Sequence, residues 1–161
     1  MVEPTTFTVR VPLRWGDMDA YGHVNNVTMF AILEEARVAV FGRPPSSGED
    51  APADQPRPAI DLFATFDPGV QALVAENHAK YRAVLPYRGV PARVEVRIEK
   101  VTPASLTIGY EVYDEATGTH CVSASTQLAF FDTRAGRLVR LSKTQREALA
   151  AYTQNHPTPN H

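Results

Sequence analysis

One cysteine in 161 residues, Cys121, leaves no internal disulfide to be made. That usage suits a reducing compartment. The N-terminal MVEPTTFTVRVPLRW lacks the apolar run of a signal peptide. No stretch approaches the ~20 apolar residues a membrane helix needs. A formal net charge of -2 gives no electrostatic support to a nucleic-acid role. There is no Gly-rich phosphate loop, and the five histidines are scattered without metal-ligand spacing. These absences point to a cytoplasmic protein with no nucleic-acid partner, no membrane and no resident metal or cofactor.

What is present suits one domain, since 43% hydrophobic residues are enough for a real core. Residues 1–153 are expected to form that domain, with 154–161 a polar tail. Thr6 to Trp15 alternates Phe7, Val9, Val11 and Leu13 with polar residues, the period of a half-buried strand. Pro12 removes a ladder donor and suggests an edge or a bulge. GDMDAYGHVNN follows, which is turn chemistry. A helix is expected from Asn26 to Phe41, capped by Asn25 or Asn26 and stopped by Gly42. Val27, Phe30, Ala31, Val38 and Phe41 lie on one face, and Met29, Ile32, Leu33, Ala36 and Val40 cover much of the rest. A helix apolar on most sides is a buried one. Arg43 to Pro58, dense in Pro, Ser and acidic residues, reads as a surface loop. Ala59 to Phe66 is ambiguous between a short helix and a strand.

From Val70 the chain turns to strands, expected over Val70–Val84, Ala92–Val101, Ser105–Tyr113 and Thr119–Phe131. RVEVRIEKV alternates Val94, Val96 and Ile98 with Arg93, Glu95, Arg97 and Glu99. The short turns between strands favour antiparallel neighbours. Leu141 to Tyr152 should close the chain as a helix with Ser142 as N-cap. An apolar helix needs a cover, and a curved antiparallel sheet would supply one. The class is therefore α+β, one layer of sheet on one main helix.

The most unusual segment is RWGDMDAYGHVNN, Arg14 to Asn26. It sets two carboxylates, a histidine and two carboxamides between a strand and the start of a buried helix. Free amides and the positive end of the helix dipole sit there, a place to stabilise an oxyanion. The string Asp17-Met18-Asp19-Ala20-Tyr21-Gly22-His23-Val24-Asn25-Asn26, followed by Leu33-Glu34-Glu35-Ala36-Arg37, resembles the 4-hydroxybenzoyl-CoA thioesterase-like branch of the hotdog superfamily. The likeness continues through His78-Ala79-Lys80-Tyr81-Arg82, Pro86-Tyr87 and Phe130-Phe131-Asp132, so it covers nearly the whole chain.

The resemblance implies a hotdog fold, a five-stranded antiparallel sheet wrapped round one long central helix. It implies dimers that join their sheets and pair into homotetramers, and acyl-CoA or acyl-carrier-protein thioesters as substrates, CoA being part of the substrate. It makes Asp19 the catalytic acid residue, as nucleophile or general base. It puts the oxyanion-hole amide on Asn26, and Met29 where the family commonly carries an aromatic in the acyl pocket. His23 is then a carbonyl donor or a water-orienting group, against its reading as a structural histidine. Asn25 reads as a cap or loop brace, or as a substrate contact. Asp17 orders the loop. Tyr81, Arg82 and Arg88 are substrate-binding candidates. Lys80, Arg134 and Arg137 join Arg82 and Arg88 as possible partners of the CoA phosphates.

Glu34 competes with Asp19 as a helix acid, but an ion pair with Arg37 at i,i+3, or with a neighbouring strand, accounts for it. His78, Lys80 and Arg82 share a strand face, which solvent alone would explain. Cys121 reads as a small core residue. The alternatives to hydrolysis are an acyl-CoA hydratase or dehydratase and a non-catalytic acyl-CoA-binding protein.

Overall fold

The structure, a computed structural model, describes residues 4–43 and 57–153. Its elements in chain order are β1 (Phe7–Val11), α1 (Asn26–Phe41), β2 (Val70–Tyr81), β3 (Ala92–Val101), β4 (Leu106–Asp114), β5 (His120–Asp132), β6 (Arg137–Val139) and α2 (Lys143–Ala150). Single 3-10 turns lie at Trp15–Asp17, Phe63–Thr65 and Ala151–Thr153. The sheet runs β1-β3-β4-β5-β2, every pairing antiparallel. The short β6 pairs with the end of β5, so the sheet has six strands where five were expected. Beyond Leu128, the last β5 residue opposite β4, β6 takes β4's place.

Alternation builds the core. Val94, Val96 and Ile98 of β3 pair with Val112, Tyr110 and Ile108 of β4, and all six are fully buried. Val122, Ala124 and Thr126 of β5 continue the rows. Thr126 is a hydroxyl in an apolar layer, and it donates to Asn77 Oδ1 of β2 at 2.8 Å. The sheet curls over α1, which lays Met29, Ile32, Leu33, Ala36, Val40 and Phe41 into it. Each fully buried large apolar side chain contributes roughly 1.5–3 kcal/mol. This is the hotdog arrangement that the resemblance implies.

The helix is not covered on every side. Val27 is 74% exposed and Val38 40% exposed, so the Val27–Phe30–Ala31–Val38 side of the expected apolar surface is left largely open. One helix face is enough to seal one concave sheet, and the second apolar stripe remains outside. Asn25, not Asn26, is the N-cap, its Oδ1 accepting from Val27 N at 2.8 Å. Gly42 ends α1 with φ 74°, and a Cβ there would lie 3.1 Å from Pro58.

β1 stops at Val11, one residue before Pro12, which has no amide to give a ladder. β2 stops at Tyr81 rather than Val84, because Arg82 and Ala83 both donate to Cys121 O. Ala59–Phe66 resolves into one 3-10 turn. Ser142 caps α2 with a capping box to Gln145. Most of the expected loop at Arg43–Pro58, and the expected tail at 154–161, lie outside the described residues. No helix among the described residues is long and apolar enough to cross a membrane.

β2 is the outer edge. Its inner side pairs with β5, and its other side has no strand partner among the described residues. Leu73 and Val74 are 43% and 46% exposed on it, beside a register shift between Val74 and Glu76.

Candidate active site

The segment from Asp17 to Asn26 folds as a small hairpin docked on the start of α1. Met18 bridges Val24, Asp19 N donates to His23 O at 2.7 Å, and Gly22 N donates to Asp19 O at 3.2 Å. Gly22 has φ 76°, the left-handed position that a three-residue hairpin loop requires. The hairpin's second arm pairs with the chain leaving β2: Val24 N donates to Leu85 O, His23 bridges Pro86, and Tyr87 N donates to Gly22 O. The chain between β2 and β3 is thereby drawn against the helix start.

Asp17 supports this loop from below. It is 3% exposed, and its carboxylate accepts from Arg14 N at 2.7 Å and from the Arg14 guanidinium at 3.0 Å. Burial pushes its pKa up, but the two Arg14 hydrogen bonds and the Arg14 charge outweigh that and hold it below the ordinary value. As expected, Asp17 has an ordering part.

Asp19 divides its two oxygens. Oδ1 accepts from Tyr21 N at 2.8 Å and His23 N at 3.2 Å. Oδ2 has no hydrogen-bond partner among the described residues. The side chain lines a cavity of about 400 Å³ together with His23, Val24, Asn26, Met29, Tyr81, Arg82, Ala83, Val84, Leu85 and Val122. The His23 ring makes no hydrogen bond among the described residues and stands free on the same wall.

The helix start contributes a donor. Asn25 takes Val27 N with its side chain and Met29 N with its carbonyl, the latter at 3.0 Å. Asn26 N is passed over and donates to no acceptor among the described residues. It sits on the cavity wall at the positive end of the dipole. The Asn26 carbonyl is held from the other side by the Tyr81 hydroxyl at 2.6 Å. Burial pushes the Tyr81 phenol up, so it remains a donor at neutral pH. Asp19, His23 and Asn26 thus line one space together with the apolar Met29, Leu85 and Val122.

Asp19, His23, Asn26, Met29, Tyr81 and Arg82 of the expected set come together in this cavity. Asn25 stands behind it as the cap. Arg88 does not join them: its guanidinium meets the buried Asp114 carboxylate at 2.9 Å, and it is absent from the wall. Arg134 and Arg137 lie at or beside β6, next to the opposite end of β2 from Tyr81. Glu34 is solvent-exposed and pairs with Arg37 at 3.5 Å, as its i,i+3 spacing suggested. Cys121 is fully buried, and burial pushes its thiol up. Ala83, Val84, Leu85 and Val122 are wall residues that no motif announced; only the pairing of the hairpin with Leu85–Tyr87 brings them in. Among the described residues no group of three or more His, Cys, Asp or Glu side chains could hold a metal ion.

Comparison with known proteins agrees with this fold. The family model described as the thioesterase-like superfamily matches residues 13–149. YsmA of Bacillus subtilis (strain 168) is 25% identical over 144 residues, covering 89% of this chain and 85% of its own. A thioesterase from Thermus thermophilus, crystallised with coenzyme A and zinc, is 25% identical with a TM-score of 0.65, covering 91% of this chain and 92% of its own. The DHNA-CoA thioesterase of Staphylococcus aureus superposes with a TM-score of 0.68 at 18% identity, over 92% of this chain and 89% of its own.

Proposed function

The chain belongs to the thioesterase-like superfamily, and on that membership we propose that it hydrolyses acyl-CoA thioesters in the cytoplasm with Asp19 at the reacting centre. Thioester hydrolysis is its activity class. The observation that carries the finer reading is that Asp19 and Asn26 line one cavity while Asp19 Oδ2 and the Asn26 amide have no hydrogen-bond partner among the described residues.

The thioester carbonyl oxygen accepts from Asn26 N–H and gains from the α1 dipole as negative charge develops on it. Asp19 Oδ2 attacks the carbonyl carbon, or takes a proton from the water that does so. The thiolate of CoA leaves and is protonated from solvent. If an acyl-Asp19 anhydride has formed, water cleaves it and restores the carboxylate. The His23 ring donates to the same carbonyl or orients that water. Met29 floors the acyl side of the cavity, and a flexible thioether there adapts to more than one acyl shape. Arg82, one of the lining residues, meets a phosphate of the nucleotide. Arg88 is left out of this set because Asp114 occupies it.

A CoA donor is supported by the Thermus relative, which binds coenzyme A. Two further features support a dimer built through β2. That edge is long, without a strand partner among the described residues, and partly apolar at Leu73 and Val74. The cavity lies at the Tyr81 end of the same strand. Pairing of two such dimers gives the tetramer.

The test is thiol release from a panel of aryl, short, medium and long acyl-CoAs and one acyl-carrier-protein thioester, with hydration of an enoyl-CoA followed in parallel. Thiol release without hydration supports the proposal. Hydration without thiol release assigns the cavity to a hydratase, and binding without either makes the chain a carrier or sensor.

A further inference from the structure

Arg82 follows the end of β2 and is among the residues lining the cavity, but what holds its side chain lies on the outer face of the sheet. Its Nε donates to Ser123 Oγ at 2.9 Å. Ser123 Oγ donates to Glu111 Oε2 at 2.7 Å. The same Glu111 oxygen meets His120 Nε2 at 2.6 Å, and Oε1 lies 3.5 Å from Arg97. Ser123 sits beside Val122, which lines the cavity from the inner face. Strand alternation thus puts the cavity wall and the Arg82 support on successive residues.

Ser123, His120 and Glu111 have the composition of a hydrolytic triad but not its geometry. A triad needs the serine on one ring nitrogen and the acid on the other. Here Glu111 and Ser123 share Nε2, at 2.6 and 3.3 Å, and the serine proton goes to the carboxylate. What the arrangement does is fix a rotor. A serine hydroxyl has one hydrogen and two lone pairs. With the hydrogen spent on Glu111, Ser123 presents lone pairs to Arg82 and accepts from Nε. That bond leaves the two terminal nitrogens of Arg82 without a protein partner among the described residues. Two free Nη groups in one plane are the fork that grips a phosphate with two parallel hydrogen bonds. Lys80, directly opposite Ser123 in the β2–β5 register, adds a second positive charge to the same edge.

We infer that Ser123 and Glu111 are positioning residues for substrate binding, orienting Arg82 so that its terminal nitrogens meet a phosphate of the CoA nucleotide. The inference rests on the proposal that the substrate is an acyl-CoA. Without Ser123, Arg82 regains the rotamer freedom that binding must then remove, which weakens binding by about three- to tenfold. The phosphates are remote from the scissile bond, so the loss falls on KM and not on kcat.

The experiment is steady-state kinetics on one acyl group carried by CoA and by pantetheine, with Ser123→Ala, Ser123→Thr, Glu111→Gln, Arg82→Ala and the double variants with Arg82→Ala. Ser123→Ala should raise KM for the CoA substrate by about three- to tenfold and leave the pantetheine substrate alone. Ser123→Thr, which keeps the hydroxyl, should restore KM. In the Arg82→Ala background Ser123→Ala should add nothing, because a residue acting through Arg82 has nothing left to position. If the alanine variant does not fold, Glu111→Gln and its double variant carry the same cycle. Additive effects, or equal losses on both substrates from Ser123→Ala, would overturn the inference by making Ser123 structural. A selective KM effect of Arg82→Ala with none from Ser123→Ala or Glu111→Gln would also overturn it, while leaving the acyl-CoA proposal intact. No selective effect of Arg82→Ala would remove Arg82 from phosphate binding, and the inference with it.

Discussion

Replacing Asp19 by asparagine removes a charge and keeps a shape, and the structure says what each change should do. The amide oxygen can still accept from Tyr21 N and His23 N, so the hairpin keeps both bonds that Oδ1 makes. Those bonds weaken, because a hydrogen bond to a charged acceptor contributes about 1.5–3 kcal/mol and a neutral one about 0.5–1.5. With the loop partly exposed, the total loss is about 1–2 kcal/mol. A domain of this size then melts roughly 2–8 °C lower. A protein stable by about 5–15 kcal/mol stays more than about 99% folded after such a loss. Unfolding therefore cannot explain a large fall in activity.

The chemistry is another matter. The variant offers an NH2 group where the reaction needs an anionic oxygen. Turnover should fall by at least about a hundredfold, or ~2.7 kcal/mol of barrier. The assay is thiol release under saturating acyl-CoA, with thermal unfolding followed on the same preparation. A folded Asp19→Asn variant with turnover within about tenfold of the parent would take Asp19 out of the mechanism and return the question to Glu34.

Three further outcomes are expected. His23→Ala should cost roughly tenfold to a hundredfold in kcat/KM, less than Asp19→Asn, as fits a polarising donor; an equal or larger loss in the same assay would make His23 a primary catalytic group. Light scattering at micromolar concentration should find dimers or tetramers, and Val74→Lys on the β2 edge should shift them toward monomer and lower turnover; a monomeric parent with full activity refutes the dimer. Asp17→Asn should destabilise the fold at neutral pH. The Asp17 pKa is lowered in the folded state, so its stabilisation is complete above the unfolded value of about 4 and is lost as pH falls through the lower folded value. The gap in melting temperature between parent and variant should thus be widest near neutrality and shrink in acid, and a gap that widens in acid contradicts the assignment.

Much of the architecture was legible because period and punctuation agreed with packing. β3 and α1 have the bounds that alternation and the Asn25 and Gly42 caps predict. The candidate loop was legible because Asp19, His23 and Asn26 lie close together in one string that resembles a known one. The rest was not local. Val27 and Val38 are apolar and read as core, but burial depends on what lies opposite, and one sheet covers one face. Arg88 is an exposed-looking arginine after a turn, and nothing nearby in sequence announces Asp114, 26 residues on, as its partner. Ser123 looks like filler in HCVSAS. Only the β4–β5 register, which sets it opposite Glu111, reveals its bond to that carboxylate and to Arg82.

The loop's hydrogen bonds give Asp19 two parts at once. A turn aspartate accepts amides with its side chain, and Oδ1 does so. A catalytic carboxylate needs an oxygen held in place and left unpaired, and Oδ2 has that character. The two are one device: the Tyr21 and His23 amides that brace the loop also stop the carboxylate from rotating, so the position of Oδ2 is fixed through Oδ1. Because His23 N is one of the two braces, the backbone that fixes the carboxylate also delivers the imidazole. Gly22 lets the chain turn tightly enough for both. Under the proposed mechanism the loop's stability and the orientation of the Asp19 carboxylate therefore rise and fall together, and a substitution at Gly22 should disturb both by forcing a side chain into a left-handed backbone position.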